Sequence, residues 1–561
     1  MSWGKRRALI ILLLIAFVLV IGYLLTASSR VSSKSVLVLD LNGEIPEQRP
    51  VDFFSAFGGN YLPVLHDVLD SIDYAKTDPR ITGLVVRVGP LETGWGKLEE
   101  IHAHLVAFRQ SHKPSICYLG YDGIGNPEYY LASACDKVWL TPTAPLGVKG
   151  MTAGALFLRG TLDKLKIYPD MYHIAEYKAA SNMLTEKKFT PAHREETDSL
   201  LHSIYDHYLT ETAEARKLDR TQFEALVQQG PFLAEGALAS KLVDRLAYWD
   251  EVQDLFREKT GDWKPVNLAR YHNEVKNFGS ETIAVVHASG LIVSGDSGNS
   301  PTGGELMGGD SVAADLRRAR EDSSVKAIVL RVDSGGGSAL ASEVIRREVQ
   351  LARKEKPVVV SMSDVAASGG YWISMSANKI IADPGTITGS IGVVTGKLNI
   401  HGFFDLLGLS TDHVATSENA TLYSSQQNFT PAQRQIILRD MQDIYSKFTK
   451  GVAEGRKMPV EAVDKIGKGR VWSGAQAKNI GLVDELGGLD RAIAVAKQLA
   501  SIPAQKSVHI WRLPEEKTFF EILFSRERQT LLTGTINEKL RWLEQISQPV
   551  QARIPFELRI R

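Results

Sequence analysis

The feature that most constrains this chain is an internal duplication. The tetrapeptide Phe-Thr-Pro-Ala begins at Phe189 and again at Phe429, 240 residues later. Two related segments, PFLAEGALASKLVD and VWSGAQAKNIGLVD, end at Asp244 and Asp484 and repeat the same spacing. A duplication of this length indicates two homologous domains rather than one large fold. We therefore divide the body of the chain into a front half at 34–275, a rear half at 279–500 and a C-terminal tail at 501–561.

Each half combines strand and helix patterns. In the rear half, an apolar run at 327–332 is followed by an amphipathic segment at 339–354 and a second apolar run at 358–362. This order of strand, helix and strand is typical of an α/β architecture with parallel crossovers. In each half a Thr-Pro pair, at Thr190 and Thr430, combines an N-cap residue with a first-turn proline. The sequence therefore predicts α/β domains with long helical extensions.

The first thirty residues predict a membrane anchor. Residues 8–25 carry no charge and are almost all apolar, and three basic residues at 5–7 precede them. This length is the short end of a bilayer span, and the preceding positive charges place the amino terminus in the cytoplasm. We predict a cytoplasmic tail at 1–7, one transmembrane helix at 8–27 and an extracytoplasmic body, which means a bacterial inner membrane and the periplasm. A cleaved signal peptide is the alternative.

The charge balance and the cysteine count exclude several classes of function. The 561 residues include 65 Lys and Arg and 65 Asp and Glu, a net charge of zero. Such a chain has no overall basic field, so no nucleic-acid partner is predicted. Its two cysteines, Cys117 and Cys135, exclude a disulfide framework or a zinc–thiolate cluster. We interpret them as buried free thiols, with one disulfide bond as the alternative.

Two glycine-containing turns in the rear half are candidate parts of a catalytic site. The segment RVDSGGGSALASEVI contains Gly336 and Gly337 at the end of a predicted strand, and DVAASGGYWISMSA places Ser368 before Gly369. Both turns follow the carboxyl ends of adjacent predicted parallel strands, where α/β proteins bind ligands. There a serine can act as a nucleophile and glycine N–H groups can form an oxyanion hole. The alternatives are an ordinary turn and an N-cap serine, and neither segment contains a histidine that could serve as the base.

These segments resemble a known family. The run SDVAASGGYWISMSANKIIADPGTITGSIGVV, the RVDSGGGSALASEVI segment, the duplication and the anchor together resemble the signal peptide peptidase A (protease IV) family in its long two-repeat form. The resemblance implies two tandem ClpP/crotonase-like spiral ββα domains and a serine protease with a Ser/Lys dyad whose members come from different halves. It also implies a homotetramer, without metal or cofactor, that degrades remnant signal peptides and other apolar peptides.

The resemblance also assigns roles to individual residues. Ser368 matches the family nucleophile, and Lys178, in HIAEYKAASNML, matches the general base. Ser390, in TGSIG, matches the serine that orients the lysine. The oxyanion hole would be formed by the N–H groups of Gly369 and of Gly336 or Gly337.

The internal alignment predicts one composite site rather than two. The counterpart of Ser368 in the front half is Asn126, and the counterpart of Lys178 in the rear half is Glu418. Each half therefore keeps the residue that the other has lost. Because a lysine is a base only when neutral, burial must lower the pKa of Lys178 by about 3 units from its usual value near 10.4.

Two other functions fit parts of the sequence. A crotonase-type acyl-CoA enzyme would use the same glycine N–H groups on a thioester, but predicted export separates the chain from coenzyme A and leaves Ser368 without a role. A catalytically inactive scaffold would keep the domains without the chemistry. Labelling of Ser368 by a serine-directed probe distinguishes the scaffold from the protease.

Overall fold

The computed structural model describes residues 31–49, 62–275, 277–300 and 304–515, together with the strand backbone of 551–553 and 559–560. The predicted cytoplasmic tail and the predicted anchor at 8–27 lie outside the described residues. Among the residues that are described, no helix has both the length and the apolar character needed to cross a membrane.

Strands and helices alternate along the described chain. The strands are β1 (Ser35–Gly43), β2 (Ile81–Leu91), β3 (Ser115–Leu119), β4 (Lys137–Leu140), β5 (Ala153–Gly154), β6 (Tyr168–Ile174), β7 (Arg245–Leu246), β8 (Pro265–Asn267), β9 (Glu281–Ser289), β10 (Leu291–Val293), β11 (Gly298–Asn299), β12 (Glu305–Gly308), β13 (Val325–Ser334), β14 (Gly336–Ser338), β15 (Val358–Ala367), β16 (Lys379–Ala382), β17 (Ile387–Gly389), β18 (Val393–Asn399), β19 (Val471–Ser473), β20 (Glu485–Leu486), β21 (Val508–Leu513), β22 (Gln551–Arg553) and β23 (Arg559–Ile560). The α-helices are α1 (Leu65–Thr77), α2 (Trp95–Arg109), α3 (Asn126–Ser133), α4 (Arg159–Lys164), α5 (Asn182–Thr185), α6 (Pro191–Arg216), α7 (Arg220–Val227), α8 (Ala234–Ala239), α9 (Trp249–Thr260), α10 (Leu268–His272), α11 (Gly309–Glu321), α12 (Ala339–Glu355), α13 (Gly369–Ser374), α14 (His401–Leu406), α15 (Pro431–Arg456), α16 (Val460–Ile466), α17 (Gly474–Asn479) and α18 (Leu489–Leu499).

Each half is built on a parallel sheet with the same strand order. The front sheet runs β7-β4-β3-β2-β1-β8, and all of these pairs are parallel. In the rear half, β20-β16-β15-β13-β9-β21 repeats this order with parallel pairs. Strands β17 and β19 add to the rear sheet beside β15. The duplication and the α/β class predicted from the sequence are confirmed.

Apolar side chains on both faces of the rear sheet explain why helices cover both faces. On one face, Ile328 and Leu330 of β13 belong to the same core as Ile345 of α12. On the other face, Val329 packs in a second core with Val495 of α18. Because successive side chains of a strand point to opposite faces, a continuous apolar run supplies both cores.

Helices α6 and α15 are the long extensions predicted from the two Thr-Pro pairs, and each has 26 residues. The Thr190 hydroxyl accepts a hydrogen bond from the N–H of His193 at 3.3 Å. The Thr430 hydroxyl accepts one from the N–H of Gln433 at 3.2 Å. Each threonine thus satisfies a backbone donor that the first turn of a helix leaves unpaired, and both predicted helix starts are confirmed.

A third sheet joins the two halves. Strand β18 of the rear half pairs antiparallel with β6 of the front half, with Val393 opposite Ile174 at one end. The sheet order is β11-β12-β10-β14-β22-β18-β6. Strand β6 ends shortly before Lys178, and β18 begins shortly after Ser390. This pairing therefore brings the predicted lysine of one half towards the predicted serines of the other.

The interpretation of the cysteines as free thiols is wrong. Cys117 lies in β3 and Cys135 follows α3, and the two are joined by a disulfide bond with their Cα atoms 5.7 Å apart. This separation lies within the usual range for a disulfide. Sequence spacing does not reveal that the turn after α3 returns the chain to the side of β3.

A group of buried and partly buried charges, the seam cluster, lies between the halves. Arg331 of β13 is fully buried and donates to the two carboxylate oxygens of Glu47 at 2.8 and 3.1 Å, and to Glu100. Lys97 of α2 pairs with Asp333 at 2.7 Å. The seam cluster consists of Glu47, Lys97 and Glu100 from the front half and Arg331, Asp333 and Asp364 from the rear half.

The seam cluster also caps a helix across the boundary. The carboxylate of Asp364, in β15, accepts hydrogen bonds from the backbone N–H groups of Gly94 at 3.1 Å and Lys97 at 2.9 Å. These groups lie at the N-terminus of α2, where a negative charge is favourable. A residue of the rear half thus fixes the start of a front-half helix.

Candidate active site

Ser368 occupies the corner between β15 and α13. Its backbone angles are φ 56° and ψ −113°, and its side chain makes no capping hydrogen bond to the helix. Its N–H donates to the carbonyl of Gly389 at 2.8 Å, and its carbonyl accepts from the N–H of Trp372 at 2.8 Å. A non-glycine residue held at positive φ is strained, and such strain is concentrated at functional sites. The alternative of an ordinary N-cap serine does not describe Ser368.

Lys178 reaches this corner from the front half. Its Nζ lies 2.6 Å from Ser368 Oγ. It also lies 3.0 Å from the hydroxyl and 3.0 Å from the carbonyl oxygen of Ser390, and it donates to both. All three residues are 0% exposed. The three polar side chains that the sequence singled out therefore meet in one buried group.

Burial sets the protonation of this lysine. It lowers the pKa of Lys178 to about 7, against the opposing attraction of the Glu196 carboxylate. Burial also raises the pKa of Glu196 to about 8, although Glu196 accepts a hydrogen bond from the N–H of Val471 at 3.2 Å. Glu196 is therefore mostly uncharged near neutral pH and attracts the ammonium form of Lys178 only weakly. The amine can thus be neutral at a pH where an exposed lysine is charged.

Two glycines make the space that Lys178 occupies, and neither was predicted from the sequence. A Cβ on Gly469, which has a φ of +78°, would lie 2.5 Å from the backbone nitrogen of Lys178 and 2.6 Å from its Cβ. A Cβ on Gly392 would lie 3.0 Å from Lys178 Cδ. Real Cβ atoms do not approach backbone atoms as closely as the first distance. Gly392 is the last residue of the TGSIG segment, which is its only sequence signal, and Gly469 lies in no recognisable motif.

The glycine turns meet beside Ser368. A Cβ on Gly369 would lie 3.0 Å from the Cα of Gly336 and 3.1 Å from the nitrogen of Gly337. The N–H of Gly336 donates to the hydroxyl of Ser334 at 3.1 Å. Of the two alternatives left open by the sequence, Gly337 therefore fits better than Gly336 as the partner of Gly369 in an oxyanion hole.

The counterparts of the two reactive residues occupy different surroundings. Asn126 stands at the start of α3, and its side-chain oxygen accepts hydrogen bonds from the N–H of Lys149 at 3.1 Å and the hydroxyl of Tyr208 at 3.4 Å. Glu418 is exposed in a short 3₁₀ helix. Neither has the geometry of a second dyad, which agrees with one composite site across the halves.

This arrangement supports acyl transfer. A neutral amine 2.6 Å from a hydroxyl can accept its proton, which makes the oxygen a nucleophile. Backbone N–H groups next to that oxygen can stabilise the negative charge of a tetrahedral intermediate. The site therefore brings an amine, a hydroxyl and backbone N–H groups together in one buried location.

Comparisons with known proteins point to the same chemistry. The sequence profile of peptidase family S49 matches residues 107–261 and 350–503, one match in each half. Serine protease SPPA, chloroplastic, of Arabidopsis thaliana is 35% identical over 500 residues, which covers 87% of this chain and 72% of that protein. Protease 4 of Salmonella typhi is 33% identical over 559 residues, covering 95% and 87%. The putative signal peptide peptidase SppA of Enterococcus faecium is 34% identical over 184 residues, covering 33% and 54%.

Proposed function

Since the chain belongs to peptidase family S49 and is a serine protease, we propose that Ser368 is its nucleophile and Lys178 its general base. The observation that carries this proposal is the 2.6 Å separation of Lys178 Nζ and Ser368 Oγ across the two halves. Membership of this family favours the peptidase over the acyl-CoA enzyme as the function of the site. We also propose that the halves are ClpP/crotonase-like spiral ββα domains, as the resemblance of the sequence implies.

The reaction begins with proton transfer from Ser368 to Lys178. The neutral amine takes the hydroxyl proton while Ser368 Oγ forms a bond to the carbonyl carbon of a peptide. Ser390 holds the amine in place through its hydroxyl and its carbonyl oxygen, both 3.0 Å from Nζ. The N–H groups of Gly369 and Gly337 stabilise the oxyanion.

The later steps of the reaction use the same two residues, with Lys178 first as an acid and then again as a base. Lys178, now an ammonium group, gives its proton to the leaving amine as the peptide C–N bond breaks. It then takes a proton from water, which attacks the acyl group on Ser368, and passes that proton to Ser368 Oγ as the acyl–oxygen bond breaks and the second product leaves. Each cycle thus returns both side chains to their starting protonation.

We assign remnant signal peptides and other apolar peptides as the substrate class. The apolar N-terminal run at 8–25 supports an enzyme anchored where such peptides lie, and one relative is named a putative signal peptide peptidase. The Cys117–Cys135 disulfide supports an oxidising, extracytoplasmic location for the body. Our proposal includes an inner-membrane anchor, a periplasmic body and a homotetramer.

Serine-directed labelling tests the dyad. We expect a fluorophosphonate to label the purified full-length protein at Ser368, with a rate that rises as the pH increases through about 7, because Lys178 loses its proton there. Ser368→Ala should be neither labelled nor able to cleave a synthetic signal-peptide remnant. Ser374→Ala, which alters another buried serine close by, should behave as wild type. Equal labelling of wild type and Ser368→Ala would remove Ser368 from the mechanism.

The space around Lys178 gives a second prediction. Gly469→Ala should lower kcat by roughly 100-fold, because a methyl group at this position would displace the lysine backbone and a shift of about 1 Å costs that much. Gly481→Ala is the matched control, since Gly481 has a φ of +83° but the nearest atom to the added Cβ, Met458 Sδ, lies 3.7 Å away. Steady-state kinetics of both variants separate the clash from general backbone strain. Equal losses of kcat in the two variants would show that a clash with Lys178 is not the cause.

A further inference from the structure

The stretch of chain just before β19 contacts the surroundings of both Lys178 and Ser390. The carbonyl of Lys468 accepts a hydrogen bond from the N–H of Tyr177, which directly precedes Lys178, at 3.0 Å. The carbonyl of Arg470 accepts one from the N–H of Ser390 at 2.7 Å. One short stretch of the rear half therefore bonds to the turn that carries the amine and to the residue that fixes the amine.

The side chain of Arg470 crosses the boundary between the halves. Its guanidinium carbon lies 5.0 Å from the centre of the Tyr177 ring and 4.6 Å from that of Trp472, within the range of a cation–π contact. Arg470 also donates to one carboxylate oxygen of Glu195 at 2.7 Å, and the other oxygen accepts from the Tyr177 hydroxyl at 3.0 Å. Arg470 thus joins the rear half to Tyr177 by a direct contact and by a second contact through Glu195.

The two segments that Arg470 joins have strained backbone conformations. Ser390 has a φ of 52°, and Ala175, in the turn that leads to Lys178, has a φ of 83°. Residues other than glycine keep such angles only where surrounding contacts enforce them. The 2.6 Å separation of Lys178 Nζ and Ser368 Oγ therefore depends on contacts that hold both segments, and proton transfer requires hydrogen-bond distance.

We propose that Arg470 is a positioning residue of the protease, whose side chain holds the turn of Lys178 against the segment that carries Ser390. The amine thereby stays at hydrogen-bond distance from Ser368. This inference rests on the function proposed above. The described hydrogen bonds of the amine are with Ser368 and Ser390, so Arg470 acts through the Tyr177 ring and through its own carbonyl.

Removing Arg470 changes the pKa of Lys178 in two opposite ways. Burial raises the pKa of Glu196, and the charge of Arg470 opposes that rise. Without this charge, Glu196 is more often neutral and attracts the ammonium form of Lys178 less, which lowers the pKa of Lys178. Loosening of the turn raises it, because burial is what lowers that pKa and water stabilises the ammonium form. Two ion pairs also flank the turn, Arg470 with Glu195 and Lys468 with Glu176.

Arg470→Met tests the proposal in the full-length protein. We expect kcat for a short apolar fluorogenic peptide to fall by about 10- to 100-fold, because a displacement of about 1 Å between reacting groups costs up to that much. KM should change less than about twofold. The pH at half-maximal kcat should rise by about one unit as water reaches the amine. Unchanged kcat, or a midpoint that moves to lower pH, would overturn the proposal.

Arg434→Met is the matched control. Arg434, in α15 of the rear half, lies over the ring of Tyr172 in β6 of the front half, with 4.8 Å between its guanidinium carbon and the ring centre. This contact also spans the halves, but it involves the strand rather than the turn of Lys178. Arg434→Met should keep the wild-type kcat and pH midpoint. A loss of kcat equal to that of Arg470→Met would refute a specific role of Arg470.

Variants of Tyr177 test the route and remain informative if Arg470→Met does not fold. Tyr177→Ala, at a half-buried position, removes the ring that Arg470 contacts and should reproduce the lower kcat and the higher pH midpoint. Tyr177→Phe keeps the ring, loses the hydrogen bond to Glu195 and should stay within about threefold of the wild-type kcat. Wild-type kcat in Tyr177→Ala would overturn the proposal.

Fluorophosphonate labelling distinguishes failure of this inference from failure of the proposed function. If Ser368 of Arg470→Met is labelled at the wild-type rate at every pH, only the role of Arg470 is refuted. If Ser368 is labelled in neither protein, the dyad itself is refuted. Slower labelling with a higher pH midpoint in Arg470→Met, but not in Arg434→Met, supports both.

Discussion

Replacing Lys178 by methionine should inactivate the protease and, at neutral pH, make it harder to unfold. Loss of the proposed general base is expected to reduce kcat by a factor on the order of 1,000 or more. The free energy of unfolding at neutral pH should increase, although kcat falls. The pKa of Lys178 is lowered by burial from 10.5 to about 7, and this shift corresponds to a cost of roughly 4 kcal/mol near pH 7.

Methionine avoids this cost but loses three hydrogen bonds. The contacts of Nζ with Ser368 and with the hydroxyl and carbonyl oxygen of Ser390 contribute about 1 kcal/mol each. The net gain in the free energy of unfolding should therefore be about 1 kcal/mol. A gain of this sign is expected wherever a buried ionisable group is kept for function rather than for stability.

The pH dependence identifies the cause of the gain. Because the pKa of Lys178 is lower in the folded chain than in the unfolded chain, the unfolded wild type binds an additional proton between about pH 7 and 10.5. Wild-type stability therefore rises relative to the variant across this window, so the advantage of the variant at pH 7 should be lost by pH 9.5. Thermal unfolding at both pH values measures it.

The exposed Lys188 provides the matched control for this variant. Lys188→Met removes the same charge and adds the same side chain outside the site, so it should change neither kcat nor the unfolding temperature. Equal unfolding temperatures for wild type and Lys178→Met at pH 7, or retained activity in the latter, would contradict burial of a neutral catalytic lysine.

Much of the site could be predicted because duplication leaves a comparison inside one sequence. Asn126 and Glu418 mark the reactive positions that each half has lost, so Ser368 and Lys178 pointed to a site shared by both halves. The helix starts at Thr190 and Thr430 depend on local capping chemistry, which is readable from neighbouring residues. The helix starts could be predicted because they depend on neighbouring residues, and the shared site could be predicted because the two halves can be compared.

The features that the sequence did not reveal depend on contacts between distant segments. Gly469 is required because Lys178 passes against it, and no pattern around Gly469 indicates this. Glu196 sits in an ordinary helical pattern, and its pKa is raised by burial, against a hydrogen bond from the N–H of Val471, which no local pattern indicates. Strand β22 likewise has no partner that can be recognised before the third sheet is assembled.

Arg331→Met should be the most destabilising single change in the seam cluster. Burial raises the pKa of Glu47, but the opposing charges of Arg331 and Lys97 outweigh it and hold that pKa below its ordinary value. Without Arg331, the carboxylates of Glu47 and Glu100 remain buried beside an apolar side chain. Removing one partner of a buried ion pair costs about 3 to 5 kcal/mol, and this loss is measurable as a lower denaturant midpoint.

Two comparisons show whether unpaired charge is the cause. Arg331→Met combined with Glu47→Gln should recover part of the lost stability, because one uncompensated carboxylate is removed. Arg347 lies on the exposed face of α12. Arg347→Met should leave the free energy of unfolding within about 0.5 kcal/mol of the wild-type value. A double variant less stable than Arg331→Met would mean that packing, rather than charge, dominates at this position.

The effect on catalysis follows from where the seam cluster lies. Arg331 belongs to the strand that leads to the glycines of β14, and its partners Glu47 and Glu100 belong to the half that carries Lys178. Loosening this connection changes the separation of Lys178 and Ser368, and proton transfer requires hydrogen-bond distance. Under conditions where Arg331→Met is still folded, kcat should therefore fall while the exposed control Arg347→Met retains it. Unchanged kcat in folded Arg331→Met would show that the third sheet alone aligns the two halves.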